Sequence, residues 1–449
     1  MKKALATILA LVMAIGLCSV SWATDPAATP VTETTTELDS GAYIVNGEVT
    51  LTVGALTVKP GATVTLELAA GSKLTNKAGS HTIINNGTLT ITGTGTVDNV
   101  SHGCAALYNA PGATATLNGG TFDRSHEAGA STGNNGGNSY YTIKNFGTIT
   151  VNPGVTVQQD GTANGGTTGK YSSLFANGWY DITTAGQPGK EPAHSSDAVL
   201  VINGGTFKGG LNTVKNDDAG KLTINDGTFT NIAQHAVFNV NEATIKGGNY
   251  TMSGDDSVLY NRKYDNANDK GQMTIENGVF KAKDGVPAIK IADENSKPSV
   301  TGGTFSSDVS DYAAENTPVA FTFNEGTSNN RTYYVGAGTI QNVANNLSAG
   351  QQLWIVKGNV TLMGVPAGVT VYPEYGTVVY VNGKDISNER DGYTVPQSSG
   401  YYYYQPTTDT KTTDTKGSPK TFDAGIALYV GMALTSAAGV AFVGKKRED

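Results

Sequence analysis

One phrase recurs through the middle of this chain and restricts it to few folds. Asn118-Gly119-Gly120-Thr121-Phe122 returns as Asn203-Gly204-Gly205-Thr206-Phe207 and as Asn225-Asp226-Gly227-Thr228-Phe229. Variants stand at Gly247-Gly248-Asn249-Tyr250, Asn277-Gly278-Val279-Phe280 and Gly302-Gly303-Thr304-Phe305. Short alternating apolar runs precede them, such as Leu200-Val201-Ile202 and Leu222-Thr223-Ile224. The unit reads as a strand, a glycine corner and an aromatic side chain landing inside. Aromatic positions 229, 250, 280 and 305 lie 21, 30 and 25 residues apart. A period of roughly 20–30 residues belongs to a solenoid whose coils pack on one another.

A second phrase pairs an apolar residue, one spacer and an asparagine. It occurs as Ile84-Asn85-Asn86, Leu107-Tyr108-Asn109, Ile143-Lys144-Asn145, Val214-Lys215-Asn216, Val237-Phe238-Asn239 and Leu259-Tyr260-Asn261. The asparagine precedes the following aromatic by 13 residues from Asn109 to Phe122 and from Asn216 to Phe229, and by 11 from Asn239 to Tyr250. Coils stacked about 4.8 Å apart would let the amides of successive asparagines donate to one another along a ladder. The 57 glycines have no Gly-X-Y period, so they mark corners rather than collagen. With apolar strands, Asn turns and glycine corners, residues 41–330 resemble the right-handed parallel β-helix of the pectate-lyase-like superfamily. That resemblance implies an all-β solenoid and no particular activity, because the fold serves lyases, hydrolases and adhesins alike.

The two ends carry an address. Lys2-Lys3, the apolar stretch 4–17 and Ser21-Trp22-Ala23 read as a signal peptide, 1–23, cleaved after Ala23. Residues 24–40 are Thr-, Pro- and Glu-rich and are expected to be a flexible lead-in. With Cys18 removed, Cys104 is the one cysteine of the mature chain, so no intrachain disulfide is expected. After the solenoid, 331–400 is dense in strand patterns and is expected to be a β cap or small β domain. A short helical turn is expected at Ala344–Leu347 and a hairpin at Asn382-Gly383. A Thr-rich spacer spans 401–417.

Residues 418–449 combine Ser418-Pro419-Lys420-Thr421-Phe422, an uncharged run at 424–443 and the basic Lys445-Lys446-Arg447. The run matches a bilayer core of about 30 Å as one C-terminal transmembrane helix, with its basic end inside. The three parts together resemble the sorting signal of Gram-positive cell-wall-anchored proteins, whose pentapeptide is LPxTG or NPxTG. Pro419 and Thr421 match, whereas Ser418 replaces Leu or Asn and Phe422 replaces Gly. The resemblance implies sortase and peptidoglycan as partners, with membrane attachment before sorting. It places the ectodomain at the cell surface.

Catalytic chemistry is harder to find. The adjacent carboxylates Asp217-Asp218 and Asp255-Asp256 are the natural candidates. Set beside the polygalacturonase motifs, however, Ser101-His102-Gly103 comes too early and Arg262-Lys263 is not Arg-x-Lys. The five histidines lack metal-ligand spacing, so no catalytic residue, metal or cofactor is assigned. The net charge of −8 opposes nucleic-acid binding. Two Gly/Asn-rich stretches, 129–138 and 161–196, interrupt the repeat, and insertions in a solenoid gather on one face. Tyr140, Tyr141, Tyr171, Phe175, Trp179 and Tyr180 lie in or near them and form the candidate ligand surface. The expected function is non-catalytic adhesion or glycan and host-surface binding. A surface polysaccharide lyase or hydrolase is the first alternative, requiring two carboxylates and a basic residue in one groove. A structural stalk without a ligand is the second.

Overall fold

The structure, a computed structural model, describes residues 28–100, 104–125, 141–159, 173–178, 198–217, 219–263, 269–324 and 330–397. Three long sheets, parallel throughout the coils, dominate them. The first sheet includes Gly41–Val45, Thr63–Leu68 and Thr88–Gly93 and ends at Ser299–Val300. The second runs from Glu37–Leu38 to Ile289–Ile291 and the third starts at Glu48–Leu51. From Gly41 onward the chain visits first, third and second sheet in rotation, so each strand pairs with its counterpart one coil away. Register holds across many coils. Leu66, Ile91, Leu117, Val151, Ile202, Ile224, Ile245 and Ile275 stand in line in the first sheet and are buried in the main apolar core. This is the all-β arrangement of long parallel sheets that the repeat requires, and it is consistent with a parallel β-helix solenoid.

The glycine phrase does what its composition implies. Phe207, Phe229, Tyr250, Phe280 and Phe305 point inward from the third sheet and stack with centroids 4.4 to 4.8 Å apart. Such ring pairs add to the area they bury. At the corner before Phe207, Gly205 has φ 117, and a Cβ there would come within 2.9 Å of the Val155 carbonyl oxygen. Only glycine meets both conditions without strain.

The asparagine ladder is present and longer than the phrase suggests. The Nδ2 of Asn85 donates to Asn109, and the chain of donation continues through Asn145, Asn177, Asn216 and Asn239 to Asn261, at 2.7 to 2.9 Å per step. All seven side chains are buried. Two corrections follow. The ladder residue of the first coil is Asn85 rather than Asn86, because Ile83, not Ile84, fills the core and pairs with Leu107. Phe175-Ala176-Asn177 carries the same phrase within the stretch read as a projecting loop at 161–196. Strand Ser173–Asn177 is a regular rung of the second sheet, with Leu174 and Phe175 in the core.

The ends also differ from expectation. Order begins before Gly41. Thr29–Pro30 pairs with the first sheet and Glu37–Leu38 with the second, anchored by the buried Val31 and Leu38. At the other end, Gly303–Phe305 pairs antiparallel with Arg331–Val335. Val319–Phe323, Gln352–Lys357, Thr370–Pro373 and Tyr393–Thr394 extend the third sheet beyond the last coil. A small sheet of Asn359–Leu362, Val378–Val381 and Lys384–Asp385 lies in the same region, its last two strands joined by the expected hairpin. Asn382 and Gly383 both have positive φ, 50 and 85, as a tight primed turn demands. The helical turn is a full helix, α1 (Ala337–Asn346). Ile340 and Ala344, one turn apart, are buried and belong with Leu353, Val371 and Val381 to an apolar cluster separate from the main core.

Candidate functional site

In the strands of the second sheet that carry the asparagine phrase, the residue between the inward apolar side chain and the ladder asparagine faces away from the core, and Lys290, followed by Ile291, holds the same register position in the last strand. These spacers form one column in register: Tyr108, Lys144, Ala176, Lys215, Phe238, Tyr260 and Lys290. Lys144 and Ala176 are covered, at 5% and 1% exposure, whereas Lys215, Phe238, Tyr260 and Lys290 reach solvent. Phe238 and Tyr260 meet edge to face with centroids 5.0 Å apart. The ammonium of Lys215 lies 5.8 Å from the Phe238 ring centre and that of Lys290 lies 5.5 Å from the Tyr260 ring centre, within cation–π range. Each ammonium also meets a carboxylate: Lys215 reaches Asp217 at 2.8 Å and Lys290 reaches Asp256 at 3.5 Å.

Behind the rings lies a buried polar line. His235 is 5.1 Å from the Tyr260 ring and 5.9 Å from Phe238. Its Nδ1–H donates to the Ser257 carbonyl at 2.8 Å, which leaves Nε2 unprotonated in the neutral ring. Its backbone N–H donates to Asn212 Oδ1 at 3.1 Å. Burial lowers the imidazole pKa, and Lys290 adds to that effect. The Ser257 carbonyl and Asp256 pull the other way. The polar line fixes the strand ends from which the ring pair projects.

The aromatic residues expected to form the ligand surface divide. Tyr141 and Phe175 are interior, at 1% and 0% exposure. They belong to the strands Tyr141–Asn145 and Ser173–Asn177 and present no surface to a ligand. Tyr140, Tyr171, Trp179 and Tyr180 lie outside the described residues, as do the stretch 129–138, Ser418–Phe422 and the run 424–443. Among the described residues, no helix is long and apolar enough to cross a membrane. The column Lys215–Phe238–Tyr260–Lys290 escaped the sequence reading although its signal was there. It is the spacer of the asparagine phrase, which periodicity alone assigns to the outer face.

The carboxylate pairs are engaged in ion pairs. Asp217 is buried against Lys215, Asp255 meets Lys283 at 2.5 Å and Asp256 meets Lys290, while Asp218 is outside the described residues. A different pair comes together in the third sheet. Asp98 and Asp123 are register partners on adjacent strands, with Lys73 Nζ 2.8 Å from Asp98. Asp98, 1% exposed, also accepts from the Ser125 amide at 2.9 Å and the Ser125 hydroxyl at 2.5 Å. Asp123 accepts from the Arg124 amide and from Gln158 Nε2. Two carboxylates and a base do converge here, but both oxygens of Asp98 are held and the group acts as a clasp between coils. No group of three or more His, Cys, Asp or Glu among the described residues could hold a metal ion. No family model, curated protein or solved structure matches the chain.

Proposed function

We propose that this chain is a secreted, wall-anchored, right-handed parallel β-helix of the pectate-lyase-like kind, whose second sheet presents an outer face for adhesion or glycan contact. One observation carries this reading: the solvent-reaching column Lys215–Phe238–Tyr260–Lys290, with paired rings at its centre and charged groups at both ends. Rings of this kind pack against sugar faces or partner side chains, and their polar neighbours fix orientation. The insertions adjoin strands of the same sheet in sequence. The leader 1–23, the spacer 401–417 and the sorting signal at 418–449, cut by a sortase after Thr421, would tether the solenoid outside the cell. The test is adhesion and glycan-array binding by cells displaying the full chain. Replacing Phe238 and Tyr260 together by alanine is expected to weaken binding on the order of tenfold or more. Unchanged binding by the double variant would remove this face from the function.

One alternative, a surface polysaccharide lyase or glycoside hydrolase, would use the register pair Asp98 and Asp123 beside Lys73, and requires Asp98 to give up the Ser125 and Lys73 contacts that hold it. Release of reducing ends from a polysaccharide panel, abolished by Asp123→Asn, would establish that alternative in place of simple binding.

A further inference from the structure

The column has a charge pattern that bears on what it takes up. Its two lysines do not form an open basic patch. Asp217 neutralises Lys215 and Asp256 neutralises Lys290. Both ammoniums also lie within reach of the rings between them. An acidic polymer approaching either lysine meets an ammonium already paired with a carboxylate, and the chain's net charge of −8 adds no long-range attraction for an anion. An uncharged sugar chain finds the complement it needs. The ring pair offers apolar surface to its C–H faces, Lys215 offers a donor at one end, and Lys290 with Asp256 offers a donor and an acceptor at the other.

Spacing points the same way. The four side chains belong to four successive strands, one per coil, at about 4.8 Å per step. A pyranose ring in an extended chain advances by a similar length. Asn216, Asn239 and Asn261 join the first three of these strands to one another directly beside the column. His235 and Ser257 hold the backbone on the other side.

We infer that the ligand of this face is a neutral, extended glycan lying along the column, about one sugar per coil, with its central sugars against Phe238 and Tyr260. This rests on the glycan-contact reading and narrows it to an uncharged substrate class.

The test uses the purified full chain and two sets of fluorescent tetrasaccharides: neutral β-linked gluco-, manno- and xylo-oligomers, and tetragalacturonate with a sulfated heparin fragment. Binding is measured at roughly 0.05 and 0.5 M salt, a range over which exposed charge interactions are strongly screened. The expected result is binding of at least one neutral oligomer with little salt dependence. Tyr260→Ala should weaken it about tenfold and Tyr260→Phe should largely retain it, which separates lost contact from lost folding. Asp256→Asn, which removes the carboxylate partner of Lys290, should give measurable, salt-sensitive affinity for the acidic oligomers. Wild-type binding confined to the acidic set and lost at high salt would overturn the neutral assignment while leaving glycan contact standing. Binding of neither set, by a chain that still mediates adhesion, would overturn the glycan reading and this inference with it.

Discussion

His235 sits behind the ring pair with Nδ1–H given to the Ser257 carbonyl, and its burial holds the imidazole below its ordinary pKa. The native state therefore resists taking the proton that the unfolded chain accepts near ~6.5. Linkage fixes the sign: stability from this residue is complete above about 6.5 and falls as the pH drops toward the depressed native value, because the unfolded state binds more protons there. Urea midpoints measured at neutral pH and near pH 5 should show this loss, and His235→Asn should reduce the difference between them. An identical pH slope in the variant would assign the response to other groups. Tyr141 and Phe175 teach a complementary lesson at this scale. Both sat in or beside Gly/Asn-rich insertions and looked available to a ligand, yet both are buried, Phe175 within the main apolar core. Neighbouring loop composition says nothing about whether a strand residue is exposed, and the strands of both residues are buried along their whole length.

Among the elements, the asparagine ladder gives the sharpest contrast. Asn177 accepts from Asn145 and donates to Asn216 and to the Lys221 carbonyl. Asn177→Ala leaves buried groups on both neighbouring coils without these partners and is expected to cost about 2–4 kcal/mol. A second ladder at the glycine corners links Asn118, Asn152, Asn203 and Asn225, and much of it is open to water. Asn152→Ala should cost no more than about 1 kcal/mol, since water replaces the lost partner. Denaturation midpoints for the two variants check this, and equal losses would count against the burial argument. The inner ladder was legible because the asparagine recurs at a nearly fixed offset of 11 to 13 residues from the following aromatic, as stacked coils require. The outer ladder was missed because Asn152 precedes Pro153-Gly154 and lacks the Gly-Gly phrase. The pairing of Asp98 with Asp123 was invisible for another reason: residues 25 positions apart meet only once the coil length is known.

At the largest scale, the described residues form two apolar clusters. The larger fills the coils and runs on into Phe321, Tyr333 and Val335. The smaller is built from Leu353, Ile355, Val371, Val379 and Val381 under α1. Strand Val319–Phe323 serves both, through Phe321 on one side and Ala320 on the other. Solenoid coils depend on their nearest neighbours, so opening is graded along the chain. Hydrogen exchange should show the slowest amides in the strands from Ile83–Asn85 to Leu259–Asn261, and the cap strands around Leu353–Val381 should open in a separate, lower-energy step. A single common opening energy across both regions would show that the shared strand fuses them into one unit.

Every step of the inner ladder donates in the same direction, from the earlier coil to the later one. Each coil therefore needs only an acceptor on the side that follows and a donor on the side that precedes, whichever coils supply them. A gene segment encoding one such coil can be copied in tandem and its product will find matching partners above and below. The reach of the molecule is thus a heritable quantity that can change by whole coils without redesign of any existing residue.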